Sequence, residues 1–154
     1  LKEIKMKIVM YCIFAKESVQ KMNGIRGKMC TQAGHAYLHA FWDSITPYSG
    51  PWWDQNNIVD ADAENIERFE IMKSKIKQGY AYAASDRAYK ITLIVDTVEE
   101  LKALQEKYKD VCGTSLVTDA AFTVFTEPTT TCLGLGPIAE ENIGDDIKSL
   151  KTFT

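Results

Sequence analysis

Lys28, Gln32 and His35 recur at i, i+4 and i+7 in the stretch Gly27-Lys28-Met29-Cys30-Thr31-Gln32-Ala33-Gly34-His35-Ala36. At about 100° per residue they share a helical stripe roughly 60° wide, and His39 continues it by one turn. A cation, an amide and an imidazole on one face suit charge stabilisation, hydrogen-bonded placement and proton transfer. The stripe follows a glycine-bearing loop, Asn23-Gly24-Ile25-Arg26-Gly27. Main-chain N–H groups at a helix start bind anions such as phosphate. The bland alternative is the polar margin of a half-buried helix, and spacing alone leaves both readings open.

The better-known motifs do not fit. A Walker A loop needs Ser or Thr after its Gly-Lys, and Met29 stands there. His35 and His39 have helical metal-pair spacing, but Ala36 replaces the glutamate of H-E-x-x-H and no third ligand is evident. No zinc site is expected. Asp119 directly follows a strand-like run, where ligands bind in open α/β sheets; a turn-capping aspartate is the competing reading. Tyr48, Trp52 and Trp53 could stack on unpaired bases or plug a long loop onto the body.

These residues need elements to position them. Lys7–Phe14 is a nearly unbroken apolar run and reads as a central strand. Residues 15–26 read as a polar loop and Lys28–Trp42 as the first helix. Asp60 or Asp62 could cap a second, with Ala63, Ile66, Phe69 and Ile76 inward and Gly79 as its stop. Tyr89–Val95 is a strand. Thr97-Val98-Glu99-Glu100 is a capping box opening the next helix. Val111–Val117 and Thr131–Leu135 are strands, Gly136-Pro137 a stop, and Ile138–Leu150 a last helix. Strands alternating with helices indicate an α/β sandwich of the α/β/α kind with a small mixed sheet.

The 154 residues suit one domain, with 43–79 as a long connection. That connection holds seven acidic against four basic side chains, which accounts for the whole net charge of −3. Residues 15–28 instead carry Lys16, Lys21, Arg26 and Lys28 against Glu17 alone, a patch suited to a phosphate-bearing strand. No apolar run approaches the roughly 18 residues of a spanning helix, so no membrane partner is expected. The four cysteines form no C-x-x-C, which leaves a zinc ribbon or thioredoxin-type motif unsupported, and Cys12 and Cys132 sit in apolar runs as free cysteines do, which favours a reducing, cytoplasmic setting.

Three blocks in order carry a family resemblance: Gly27-Lys28-x-x-x-Gln32-x-x-His35-Ala36, Ser115-Leu116-Val117-x-Asp119-Ala120-x-x-Thr123, and Thr131-Cys132-Leu133-Gly134-Leu135-Gly136-Pro137. Together they resemble the type 2, archaeal and eukaryotic, peptidyl-tRNA hydrolases over roughly residues 6–42 and 88–151. The resemblance implies a three-layer α/β/α sandwich with a four-stranded mixed sheet, one strand antiparallel. It implies hydrolysis of the ester between a peptide, or an N-blocked amino acid, and the 3′ end of tRNA. No cofactor is implied, and dimers are common in the family. Lys28, Asp119, His35 and Thr123 become the catalytic candidates. Gln32, Thr131, Arg26 and Gly27 become the candidates for holding the acceptor end. His35 is either a general base or a structural partner of Asp119. The sequence departs from the family pattern at Phe14-Ala15-Lys16-Glu17, where Arg-x-Asp-Leu is usual. It departs again at Ala121, where glycine is usual, and at Glu127-Pro128-Thr129, where Pro-Gly-Ser is usual. Those departures motivate the alternative of a non-catalytic module that binds RNA or protein.

Overall fold

The computed structural model describes residues 7–46, 63–121 and 125–154. The apolar run forms strand β1, Ile8–Ala15, and every residue of it is buried. Successive strand side chains point to opposite faces, and β1 feeds different clusters accordingly. Val9, Tyr11, Ile13 and Ala15 pack with Leu101, Leu104, Tyr108 and Ile147. Cys12 and Phe14 pack with Met22 and Ala36, and Ile8 and Met10 with Ala40 and Tyr82.

The segment read as a loop after β1 contains helix α1, Lys16–Lys21, whose six residues are too few to show a helical repeat. Helix α2 spans Arg26–Ile45 and helix α3 spans Ala63–Ala83. Gly79 does not end α3. A Cβ there would lie 2.7 Å from Ile45 Cγ2 and Ser44 Oγ, so the glycine marks where α3 touches α2. Ile66 and Phe69, expected inward, are exposed, whereas Met72, Lys75, Gln78 and Tyr82 turn in. Two polar residues on the buried face hid it from a search for apolar periodicity. The proposed caps Asp60 and Asp62 and the aromatic loop Tyr48, Trp52 and Trp53 lie outside the described residues.

Gln78 explains why a polar residue is tolerated there. Its Nε2 donates to Val111 O (2.8 Å), and its Oε1 accepts Ala139 N–H (2.7 Å) and Asn142 Nδ2 (3.3 Å). Gln78→Ala would strand buried main-chain groups. It is expected to cost about 2 kcal/mol, read as a shifted urea midpoint at unchanged slope.

Strand β2, Tyr89–Val95, leads through the expected capping box into α4, Val98–Tyr108. Glu100 Oε2 accepts the Thr97 N–H at 2.9 Å. Strand β3, Thr114–Asp119, and strand β4, Thr129–Ala139, follow. Strand β4 passes through Gly136-Pro137 instead of stopping there. The expected last helix is a 3-10 turn, Glu140–Asn142, and a four-residue helix α5, Asp145–Lys148. Lys151–Thr152 then forms β5.

Among the described residues the sheet therefore has five strands, in the order β3-β4-β1-β2-β5, where four were expected. The added strand pairs Thr152 with Leu93 and Lys151 with Ile94, and two residues are too short for any alternation to register. β1 pairs parallel with β2, and β4 runs antiparallel to both β1 and β3. Among the described residues that order makes β3 an edge strand.

Candidate active site

Helix α2 lies on β4 with its backbone nearly touching the sheet. A Cβ on Gly134 would sit 2.1 Å from Ala36 O, and one on Gly113 would sit 2.1 Å from Ala40 O. A helical turn rises about 5.4 Å and two strand residues about 6.6 Å. Residues four apart on α2 thus stay over β4 as both run in the same direction. Ala36 and Ala40 occupy the close contacts. One turn earlier Gln32 lies over Thr131 and Cys132. One turn earlier still, Lys28 reaches the end of the sheet, where β3 delivers Asp119 opposite Thr129.

Four of the sequence candidates meet there. Lys28 Nζ is 2.5 Å from Asp119 Oδ2. Gln32 Nε2 donates to the same oxygen at 3.2 Å, and the Ala121 N–H donates to Asp119 Oδ1 at 2.8 Å. Thr131 Oγ1 donates to Gln32 Oε1 at 2.7 Å, which fixes the amide with its NH2 towards the carboxylate. Gln32 is 2% exposed and Thr131 fully buried, so this orientation is enforced inside the protein. The Lys28 ammonium beside Asp119 holds its carboxyl below the ordinary carboxylate value, against the opposing effect of burial. Asp119 is consequently ionised at neutral pH, a firm hydrogen-bond acceptor and a weak base.

The other candidates are placed differently. Arg26 and Gly27 form the exposed first residues of α2, and Ile25 before them supplies no side-chain cap. His35 is exposed, and Asp119's described partners do not include it. With His39, ring centroids 6.1 Å apart, it lines a separate groove against Ser115, Leu116, Val117 and Thr118. Thr123 lies outside the described residues. Among the described residues no group of three His, Cys, Asp or Glu side chains could hold a metal ion.

Two contributors escaped the sequence reading. Ser18 Oγ donates to Thr130 O at 2.6 Å and pins α1 beside the start of β4. Glu17, which stands in the departing segment, accepts the Val98 N–H at 2.8 Å and so caps α4. Both contacts join segments remote in sequence, so no local spacing signals them.

Ala121 has φ +69°, in the left-handed region that disfavours a Cβ. The turn it completes returns its N–H to Asp119, which explains why glycine suits this position in the family pattern. Ala121→Gly is expected to raise stability by about 0.5–1 kcal/mol, after the extra freedom of the unfolded chain is counted. A thermal melt checks it, and a lowered Tm would contradict the strain argument.

Residues 8–153 match the family model described as peptidyl-tRNA hydrolase PTH2, and the chain belongs to that family. No protein of curated function matches the chain.

Proposed function

We propose that this chain hydrolyses the ester joining a peptide, or an N-blocked amino acid, to the 3′ end of tRNA. The products are a free carboxylate and a tRNA with its ribose hydroxyl restored. The observation that carries the reading is the Lys28–Asp119–Gln32–Thr131 constellation at the sheet end, within a PTH2 family chain. The fold supporting it reads as a three-layer sandwich, since alternate side chains of β1 enter different clusters.

An ester needs placement, an oriented water and stabilisation of the tetrahedral oxyanion. Asp119, kept ionised by Lys28, accepts a hydrogen bond from the attacking water. The water oxygen bonds to the acyl carbon and the bond from acyl carbon to ribose oxygen breaks; one proton of the water passes by way of Asp119 to the departing ribose oxygen, and the other is lost to solvent from the new carboxylic acid. Lys28 carries the positive charge that the oxyanion or a 3′ phosphate requires. Gln32, clamped by Thr131, keeps the carboxylate from turning away. Lys16 and Lys21 on α1 and Arg26 at the start of α2 supply positive charge that suits the phosphates of the acceptor end.

The test is release of free tRNA from purified N-acetyl-aminoacyl-tRNA. Multiple turnovers in the presence of excess chelator support the reading. Absence of release even with the protein in excess would overturn it and leave the non-catalytic alternative.

A further inference from the structure

The groove containing His35 and His39 has a volume of about 380 Å³ and is lined on one side by four consecutive residues, Ser115, Leu116, Val117 and Thr118. Consecutive strand side chains point to opposite faces. A cavity bounded by a face of the sheet would therefore be lined by alternate residues. Four in a row mean that it runs along the edge of β3, against its main chain. Among the described residues β3 is the end strand of the sheet, so half of its N–H and C=O groups turn away from β4.

The direction of those groups follows from two hydrogen bonds. Gly113 O accepts Gly136 N–H at 2.8 Å, on the β4 side. Thr114 N–H instead donates outward, to Asp43 Oδ2 at 3.0 Å. Alternation then turns the N–H and C=O of Leu116 outward as well. His35, His39 and Asp43, each four residues apart on α2, follow this edge. Asp43 marks the Thr114 end and Asp119 the other.

We infer that the peptide moiety of the substrate binds as an added strand along the edge of β3, with its last residue at Asp119. The inference rests on the hydrolase reading above. The occupant is chosen by continuity, because the edge groove ends at the residue next to Asp119. The scissile ester must lie there, at the C-terminus of the peptide. The peptide consequently runs parallel to β3, and His35 and His39 form the wall above it. Residues 115–118 span about 13 Å, room for about four residues of an extended chain. Main-chain pairing suits a substrate whose peptide has no fixed sequence, since each residue offers the same amide.

The experiment compares kcat/KM for tRNA carrying an N-acetyl-amino acid, a tetrapeptide, and a tetrapeptide methylated at its internal amide nitrogens. The C-terminal residue is the same in all three. The tetrapeptide is expected to be hydrolysed about tenfold more efficiently than the short substrate, the equivalent of one or two net hydrogen bonds. Methylation should remove that advantage, and altering the tetrapeptide's side chains should not. Leu116→Pro deletes the outward N–H without breaking the β4 ladder, and should bring the long-to-short ratio near one. Because the methylated substrate makes the same test on the unaltered protein, the inference does not depend on that variant folding. Equal efficiencies for long and short substrates, or an advantage that survives methylation, would overturn the inference while leaving the hydrolase reading intact. Failure to hydrolyse any of the three would instead remove the hydrolase reading.

Discussion

Asp119→Asn is expected to lower kcat on N-acetyl-aminoacyl-tRNA by about 10²–10³-fold, the scale of losing one preorganised electrostatic group. The amide is isosteric, and its oxygen can keep the Ala121 N–H, but its NH2 then faces the Gln32 NH2 and the Lys28 ammonium, so that contact is lost together with the charge proposed to orient water. Far-UV circular dichroism and a cooperative melt should show the fold retained. An undiminished kcat would remove Asp119 from the chemistry. Lys28→Met probes the same pair from the other side. Because Lys28 depresses the Asp119 carboxyl below its ordinary 3.8, activity should persist below that pH before the carboxylate protonates. The sign is fixed by linkage. A depressed folded-state pKa contributes stability above the unfolded value, and that contribution is lost as pH falls through the folded one. In Lys28→Met the acid limb of whatever activity remains should move upward, towards 3.8. An unmoved limb would mean that another group controls it.

The second large effect is expected at Gly134. Its Cα lies against the Ala36 carbonyl, and alanine would bring a Cβ to 2.1 Å from that oxygen. Neither partner is a flexible side-chain end, so α2 must lift from β4. Overpacking of this kind costs about 3 kcal/mol or more. The same displacement carries Gln32 off Thr131 and Lys28 off Asp119, so kcat should fall in the fraction that stays folded. Gly34→Ala is the control. It lies in the exposed interior of the same helix, a Cβ there meets nothing within 4 Å, and it should stabilise the protein by about 1 kcal/mol. If urea denaturation ranked the two variants equally, the helix would not rest on the strand as described.

The parts of this molecule that repeat with a period were readable from sequence. The apolar run of β1 and the capping box of α4 declare themselves within a few residues. The polar stripe on α2 was half readable. Lys28 and Gln32 belong to the line that continues through Ala36 and Ala40 over β4, whereas His35 and His39 sit one residue off it and face the groove. A helical wheel places all four polar residues together and cannot tell a strand beneath from a gap beside it. Asp119 and Thr131 were visible as strand-end residues. Their contacts with Lys28 and Gln32 depend on the register that places Asp119 opposite Thr129, a pairing across residues no local pattern encodes. The inward face of α3 went unseen because Lys75 and Gln78 are polar and buried. Lys75 Nζ meets Asp43 Oδ2 at 3.1 Å and Lys109 O at 3.2 Å, partners no spacing rule supplies. β5 was invisible because two residues carry no alternation.

The near-contact of α2 with Gly134 and Gly113 also makes the helix a gauge. Ala36 and Ala40 are seated on the sheet, so the chain between Ala36 and the loop measures out where Lys28 falls, in angle as well as in length. One residue added between Gln32 and Ala36 would rotate Lys28 and Gln32 by about 100° away from Asp119 and Thr131. A whole added turn would restore the angle and overshoot the end of the sheet by about 6 Å. The alignment of Lys28 and Gln32 with Asp119 and Thr131 is thus a matter of phase. The length of this one segment is far less free to vary than the identity of the side chains on its outer surface.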